Sequence, residues 1–271
     1  MQRTALLSAL ILLAGCDAAA PDAPQAAQTQ RAAPAPTPSA SPTPAPAVAA
    51  GRSEEEETEL FDFQYSYPAK AAALPGLKAL LDKRLDASRT ELVSGAKTDQ
   101  AEAAKSGYPY RPHSSGATWE VVADLPRWLS LSAELYDYSG GAHGMTYFDS
   151  LLWDREHDTA REVSDLFASK AALSAAIREP FCAAIDKERE KRRGEPVNRN
   201  SGDQFDECVD PAEHAVILGS SNGRTFDRIG VLVEPYSAGP YAEGTFDITL
   251  PVTPGVMQAL KPAYRSQFSV K

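Results

Sequence analysis

From residue 60 the chain alternates between two hydrophobic spacings. Phe61, Phe63, Tyr65 and Tyr67 are separated by polar partners, the period of a strand with one aromatic face. Pro75 then opens a stretch in which Leu77, Leu81, Leu85 and Leu92, with Leu80 and Val93, recur at helical spacing. Proline suits a first helical turn, where its missing N–H is no loss, and the leucine stripe reads as a core face. A helix from residue 75 to about residue 105 is predicted. Trp119–Leu125 and Trp128–Tyr138, parted by Pro126, predict a hairpin whose second strand carries Leu129, Leu131, Ala133, Leu135 and Tyr136. The turn Gly140-Gly141-Ala142-His143-Gly144 leads into a strand over Met145–Trp153, a polar tip at Asp154–Thr159, and Val163–Phe167. Trp119, Trp128 and Trp153 read as core.

Ser169 is placed to cap a second helix, with Leu173, Ala176, Ile177, Phe181 and Ile185 on its apolar face and Pro180 able to kink it. Its end, KEREKRR, reads as a solvated charge run. Residues 194–210 are polar and loop-like, followed by a short segment at Ala215–Leu218 and a turn at Asn222-Gly223. Ile229, Val231 and Val233 alternate, as do Phe246, Ile248 and Leu250, with EPYSAGPYAEG between them and a short helix near Val256–Leu260. The order predicts an α+β fold of antiparallel sheets with packed helices, in two subdomains, residues 59–160 and 161–271.

The first residues follow other rules. Arg3, an apolar stretch over residues 5–14 and small residues after it form a secretory signal, residues 1–15. Leu13-Ala14-Gly15-Cys16 resembles the bacterial lipobox, which implies cleavage before Cys16 and its acylation. The alternative is an ordinary signal peptide with an incidental cysteine. Each buried methylene contributes about 0.8 kcal/mol, so two or three chains hold firmly. The protein is then expected in the bacterial cell envelope, lipid-anchored and facing the periplasm. Asp17 goes with inner-membrane retention in enteric bacteria, and the outer membrane is the other destination. Residues 16–58 are expected as a tether. Residues 17–50 are nearly all Ala, Pro, Ser, Thr and Gln, too poor in apolar bulk to fold. At about 3.1 Å per residue the contour approaches about 100 Å, against a radius of gyration of about 17 Å for the globule. The acidic run Glu54–Glu57 reads as a solvated flank.

Composition narrows the function classes. The 271 residues carry a formal charge of -10, which argues against nucleic acid and against a polybasic membrane patch. No apolar run reaches the length of a spanning helix. The cysteines are Cys16, Cys182 and Cys208. With Cys16 lipidated, an exported protein is expected to join the remaining two, for about 3.5 kcal/mol in the loop-entropy picture; two buried free thiols are the alternative. The four histidines, His113, His143, His157 and His214, form no HExxH or comparable cluster, so no metal and no cofactor is expected. His143, on its glycine-rich turn, is the best candidate for chemistry; the plainer reading has a ring nitrogen fasten the turn to a neighbouring strand. Ser94-Gly95-Ala96-Lys97 has SxxK spacing but lacks its SDN and KTG partners. No catalytic residues are assigned, and an enzyme is not expected.

Two stretches carry a resemblance. One is Tyr138 to Gly144, followed by a strand and Val163–Phe167. The other is Pro235 to Gly244, followed by a strand ending in Pro251. Both resemble an extracellular bacterial domain pair of largely uncharacterised function. That pair forms the sensor of the lysozyme-responsive anti-sigma-V factor and precedes the catalytic domain of some peptidoglycan deacetylases. The chain departs from these relatives in showing no membrane helix and no deacetylase motif: Thr225-Phe226-Asp227 and Thr245-Phe246-Asp247 do not continue into a second aspartate or paired histidines. The resemblance implies a displayed binding or sensor-like domain with lysozyme as partner. A peptidoglycan-binding module and an envelope hydrolase are the alternatives. Tyr236, Gly239, Pro240 and Tyr241, with His143, are the expected contact residues, because a loop of aromatic rings on rigid backbone suits a contact surface. Packing of both tyrosines over the sheet as structural corners is the competing reading.

Overall fold

A computed structural model describes residues 50–271. The signal sequence, Cys16 and the tether through residue 49 lie outside the described residues. The elements in chain order are β1 (Arg52–Glu57), β2 (Phe61–Tyr67), the one-turn α1 (Ala69–Ala72), α2 (Pro75–Ser106), β3 (His113–Asp124), β4 (Trp128–Tyr138), β5 (Met145–Asp154), β6 (Thr159–Arg161), α3 (Lys170–Arg193), β7 (Ala215–Gly219), β8 (Arg228–Val233), β9 (Phe246–Pro251) and α4 (Pro254–Ala259). They build a six-stranded sheet in sequence order β1 to β6 and a three-stranded sheet β7-β8-β9. The α+β class is as the periodicity predicts.

One pairing departs from the antiparallel expectation. β2 and β3 run parallel, because the long helix α2 carries the chain back to the end where β2 began, and a strand–helix–strand crossover leaves parallel neighbours. A second departure is β1. The acidic run expected as a solvated flank of the tether is an edge strand, paired antiparallel from Arg52↔Tyr67 to Glu57↔Asp62. The outer edge of β2 needs a hydrogen-bonding partner, and backbone pairing does not depend on side-chain hydrophobicity. Glutamates on an edge also discourage further pairing. Ion pairs Arg52–Asp82 at 2.6 Å and Arg89–Glu56 at 2.6 Å tie this strand to α2.

The middle of the large sheet is covered on both faces. Trp128, Leu129, Ser130 and Leu131 are buried in succession. Leu129 and Leu131 join Phe63, Trp119, Leu77 and Leu81 beneath α2. Trp128 and Leu152 join Phe181, Ile177, Leu218 and Phe246 in a second core against α3 and the small sheet. A register shift between Val121 and Ala123 inserts one residue, so Ala123 turns to the second core while Trp119 stays in the first. The second core therefore recruits Ala123, Leu125, Trp128 and Leu152 from chain before residue 161.

α3 starts where Ser169 Oγ accepts the Ala172 N–H at 3.0 Å and runs through Pro180, which is exposed. Cys182 and Cys208 are joined, with Cα atoms 5.5 Å apart. The bond pins the segment after α3 to the helix.

Candidate functional site

The expected contact loop, between β8 and β9, is held from below by α3. Arg189 is fully buried. Its Nε donates to the Ala238 carbonyl at 2.7 Å, one terminal nitrogen to the Glu207 carbonyl at 2.9 Å, and the other to Asp186 at 3.1 Å. Burial pushes its guanidinium pKa down against the opposing pull of Asp186. Arg192 donates to the carbonyls of Glu243 and Thr245 at 2.6 and 2.8 Å. Arg193 grips the Glu243 carboxylate at 2.7 and 3.2 Å and Asp206 at 2.7 Å. The KEREKRR run is thus not a solvated helix end but a clamp on two loops. The fixed fork of a guanidinium reaches several carbonyls at once, which lysine cannot do. A signal was present in the sequence: Leu173, Ile177, Phe181, Ile185, Arg189 and Arg193 follow one another at steps of four. The arginines continue the buried stripe.

That clamp explains Gly239 and Pro240. A Cβ at residue 239 would meet the Glu243 side chain, which Arg193 holds in place, so glycine is needed for the close approach. Pro240 is extended and leads into a single 3-10 turn, Tyr241–Glu243. Tyr236 adopts φ 70°, a left-handed conformation uncommon for a bulky residue.

The loop meets the β4–β5 turn. The His143 ring stacks on Tyr241 with centroids 3.8 Å apart, and the Tyr236 ring lies 5.6 Å from that of Tyr241. His143 Nδ1 pairs with the Gly144 carbonyl at 2.9 Å, so Nδ1 carries the proton and donates. Nε2 then accepts from the Tyr236 hydroxyl at 3.3 Å. Tyr241 donates its hydroxyl to the same Gly144 carbonyl at 3.0 Å. His143 does fasten its turn, but to the distant loop rather than to a neighbouring strand. The five expected residues lie in one assembly: Tyr236, Tyr241 and His143 touch, while Gly239 and Pro240 shape the backbone that carries them.

Tyr136 joins this assembly and escaped the sequence reading, which counted it among strand apolar positions. A Cβ on Gly144 would run into the Tyr136 ring. Tyr136, Tyr236 and Tyr241 are 41%, 47% and 36% exposed. Beside Tyr136 a groove of about 420 Å³ crosses the open face of the sheet, lined by Gln64, Ser114, Gly116, Thr118 and Glu134 among others. Alternation along β4 was the available signal, because Tyr136 lies on the face opposite Leu135. The arrangement offers ring faces for stacking next to polar groups. Among the described residues the partners of His143 are a carbonyl and a phenol, with no carboxylate placed to orient it as a base.

Among the described residues, Asp154, Glu156 and His157 are the group that could hold a metal ion. The Asp154 oxygens are already engaged by Arg127 at 3.2 and 2.9 Å and by His157 at 2.8 Å. Burial pushes the Asp154 carboxyl up, but these partners outweigh it and hold the pKa below its ordinary value. The cluster reads as a hairpin staple. Cys16 lies outside the described residues.

No curated protein matches the chain. Among solved structures it is similar to a DUF3298 family member from Bacteroides fragilis, at 15% identity and TM-score 0.46, covering 80% of this chain and 95% of that one. It is also similar to a DUF3298 family protein from Pseudomonas aeruginosa, at 15% identity and TM-score 0.43, covering 82% and 96%. Residues 54–146 match the family described as "Deacetylase PdaC", so over β1 to the β4–β5 turn this chain is similar to a PdaC-type domain.

Proposed function

We propose that the chain is a non-enzymatic binding module of the bacterial cell envelope, anchored by lipid on Cys16 and facing the periplasm, with the Tyr136–His143–Tyr236–Tyr241 surface as its contact patch. The observation that carries this reading is the engagement of both His143 nitrogens. A ring used as a fastener between two loops builds a rigid, exposed aromatic platform, and rigidity lowers the cost of binding. The proposed partner is lysozyme, a compact basic protein. Its charge complements a chain of net charge -10 and would speed encounter. Peptidoglycan is the second reading, favoured by the polar groove beside Tyr136, where a sugar could stack and hydrogen-bond together.

Calorimetry of the exported chain carrying Cys16→Ala, against lysozyme and against soluble muropeptides at two salt concentrations, tests both. Heat with lysozyme that disappears in Tyr241→Ala supports the first reading, and heat with muropeptides alone supports the second. Silence with both removes the binding function. Mass spectrometry checks the anchor: Cys16→Ala should carry no acyl chain, and an acylated variant would remove the lipobox reading.

A further inference from the structure

The opposite face of the large sheet holds a cleft of about 580 Å³ between α2 and β3–β5. Its origin is a change in side-chain size. The first half of α2 packs on the sheet through Leu77, Leu81 and Leu85, all buried. Beyond these the helix presents the small Ala87, Ser88 and Gly95 to the cleft beside Glu91 and Leu92, and the sheet answers with Ser115 and Ala117 beside Trp119 and Leu135. Gly95 is the residue type that weakens a helix interior most after proline. Packing does not demand it: a Cβ there would meet nothing closer than His113 Nδ1, at 4.0 Å. A volume of this size is that of a small-molecule site.

The polar groups facing the cleft are mostly acceptors. His113 is 5% exposed. Its Nε2 lies 3.1 Å from Asp99, an ion-pair distance without hydrogen-bond geometry, so this contact does not fix the tautomer. Neither ring nitrogen has a hydrogen-bond partner among the described residues, and Nδ1 faces Gly95 across the cleft, where the neutral ring can accept a donor. Glu91 and Asp137 also line the cleft, with no ion-pair partner among those residues. The guanidinium of Arg84 is spent on Asp149 at 2.7 Å and on the Trp119 ring, 5.2 Å from its centroid. That contact is itself a cation held between a carboxylate and an aromatic face.

We propose that this cleft binds a compact organic cation: an ammonium or guanidinium group, rich in N–H donors, on a small and partly apolar body. The donors would reach His113 Nδ1 and Asp137, with Glu91 at the rim. The body would rest on Leu92, Ala117 and Leu135. The site is separate from the aromatic patch and does not depend on it.

The amine can be borne by a sugar or by a side chain, so paired probes distinguish the sources. The Cys16→Ala chain is titrated with glucosamine against N-acetylglucosamine, and with Nα-acetyl-lysine amide against its Nε-acetylated form. Calorimetry and the NMR shift of the Trp119 indole N–H are the readouts. One amine is expected to bind at least about tenfold more tightly than its acetylated partner, as for a charged hydrogen bond. Asp137→Asn should erase that preference. Gly95→Leu, which fills the cleft and favours the helix, should abolish binding while leaving circular dichroism native, and Tyr241→Ala should change nothing. Equal binding of the acetylated partners, no binding of either amine, or binding that survives Gly95→Leu would overturn the proposal.

Discussion

The two long helices solve one packing problem in opposite ways. α2 and α3 each lay an apolar stripe on a sheet, and the first turns of each carry large aliphatic or aromatic residues. Farther along they diverge. The stripe of α3 ends in Arg189 and Arg193, whose forks fill the space beyond the helix and fix two loops. The stripe of α2 continues through Leu92, Ala96 and Ala103, but beside it Ala87, Ser88 and Gly95 are too small to fill the space over the sheet and leave a cleft. One helix uses its far end to fix two loops, the other to leave room. A buried stripe therefore does not by itself mean a closed core; the size and reach of the last few residues decide.

The strongest way to break the comparison is at Arg189. Arg189→Ala removes a fully buried guanidinium and leaves the Ala238 and Glu207 carbonyls without donors, so chemical denaturation should show a loss of about 4 kcal/mol. By contrast Asp99→Ala, at the exposed rim of the α2 cleft, should stay within about 0.5 kcal/mol. If the two variants lose similar stability, the far ends of the helices are not different in kind.

Reduction of Cys182–Cys208 should cost about 3.5 kcal/mol. Because Arg189 grips the same segment through Glu207, the loss on reduction should be smaller in Arg189→Ala than in the parent chain, a coupling visible in a double-mutant cycle.

Gly95→Ala sharpens the other side. With open space beyond the new Cβ, thermal unfolding should show a gain of about 1 kcal/mol. A loss would mean the cleft wall is tighter than its geometry indicates.

The smallest effect is a pH dependence confined to the start of α2. Burial pushes the Asp82 carboxyl up, but hydrogen bonds from Lys78, Tyr67 and Arg52 prevail and hold it at about 2. Its unfolded value is about 3.9, so the folded state gains from its ionisation above about pH 4 and loses that gain as pH falls toward 2. The group is near the surface, so the amplitude should stay below about 1 kcal/mol. In Asp82→Asn this part of the acid-unfolding profile should flatten; an unchanged profile would show the network to be energetically idle.

Much of the architecture was legible along the chain. Alternation marked β2, the leucines and Pro75 marked α2, Ser169 marked the start of α3, and two cysteines remaining once Cys16 is set aside marked their bond. These features depend on residues a few positions apart, and local geometry enforces them. The acidic strand β1 was not legible, because backbone pairing with β2 made it a strand against its composition. Part of the site was legible too. His143 and the loop Tyr236–Gly244 stood out by residue type, and each was placed on its own turn.

Their meeting was decided elsewhere. His143 and Tyr236 are 93 residues apart in sequence, on hairpins of different sheets, and only the packing of those sheets on Trp128 and Leu152 brings them within a hydrogen bond. The cleft has the same character. Neither Ala87, Ser88 and Gly95 nor Ser115 and Ala117 is unusual alone, and a cavity exists only where these small residues face each other across a helix–sheet interface. Sequence by itself determined most segments that are helix or strand, because those are short-range consequences of spacing and composition. Tertiary structure decided which arginines are buried and which rings touch, because burial and contact are properties of pairs that the chain order keeps apart.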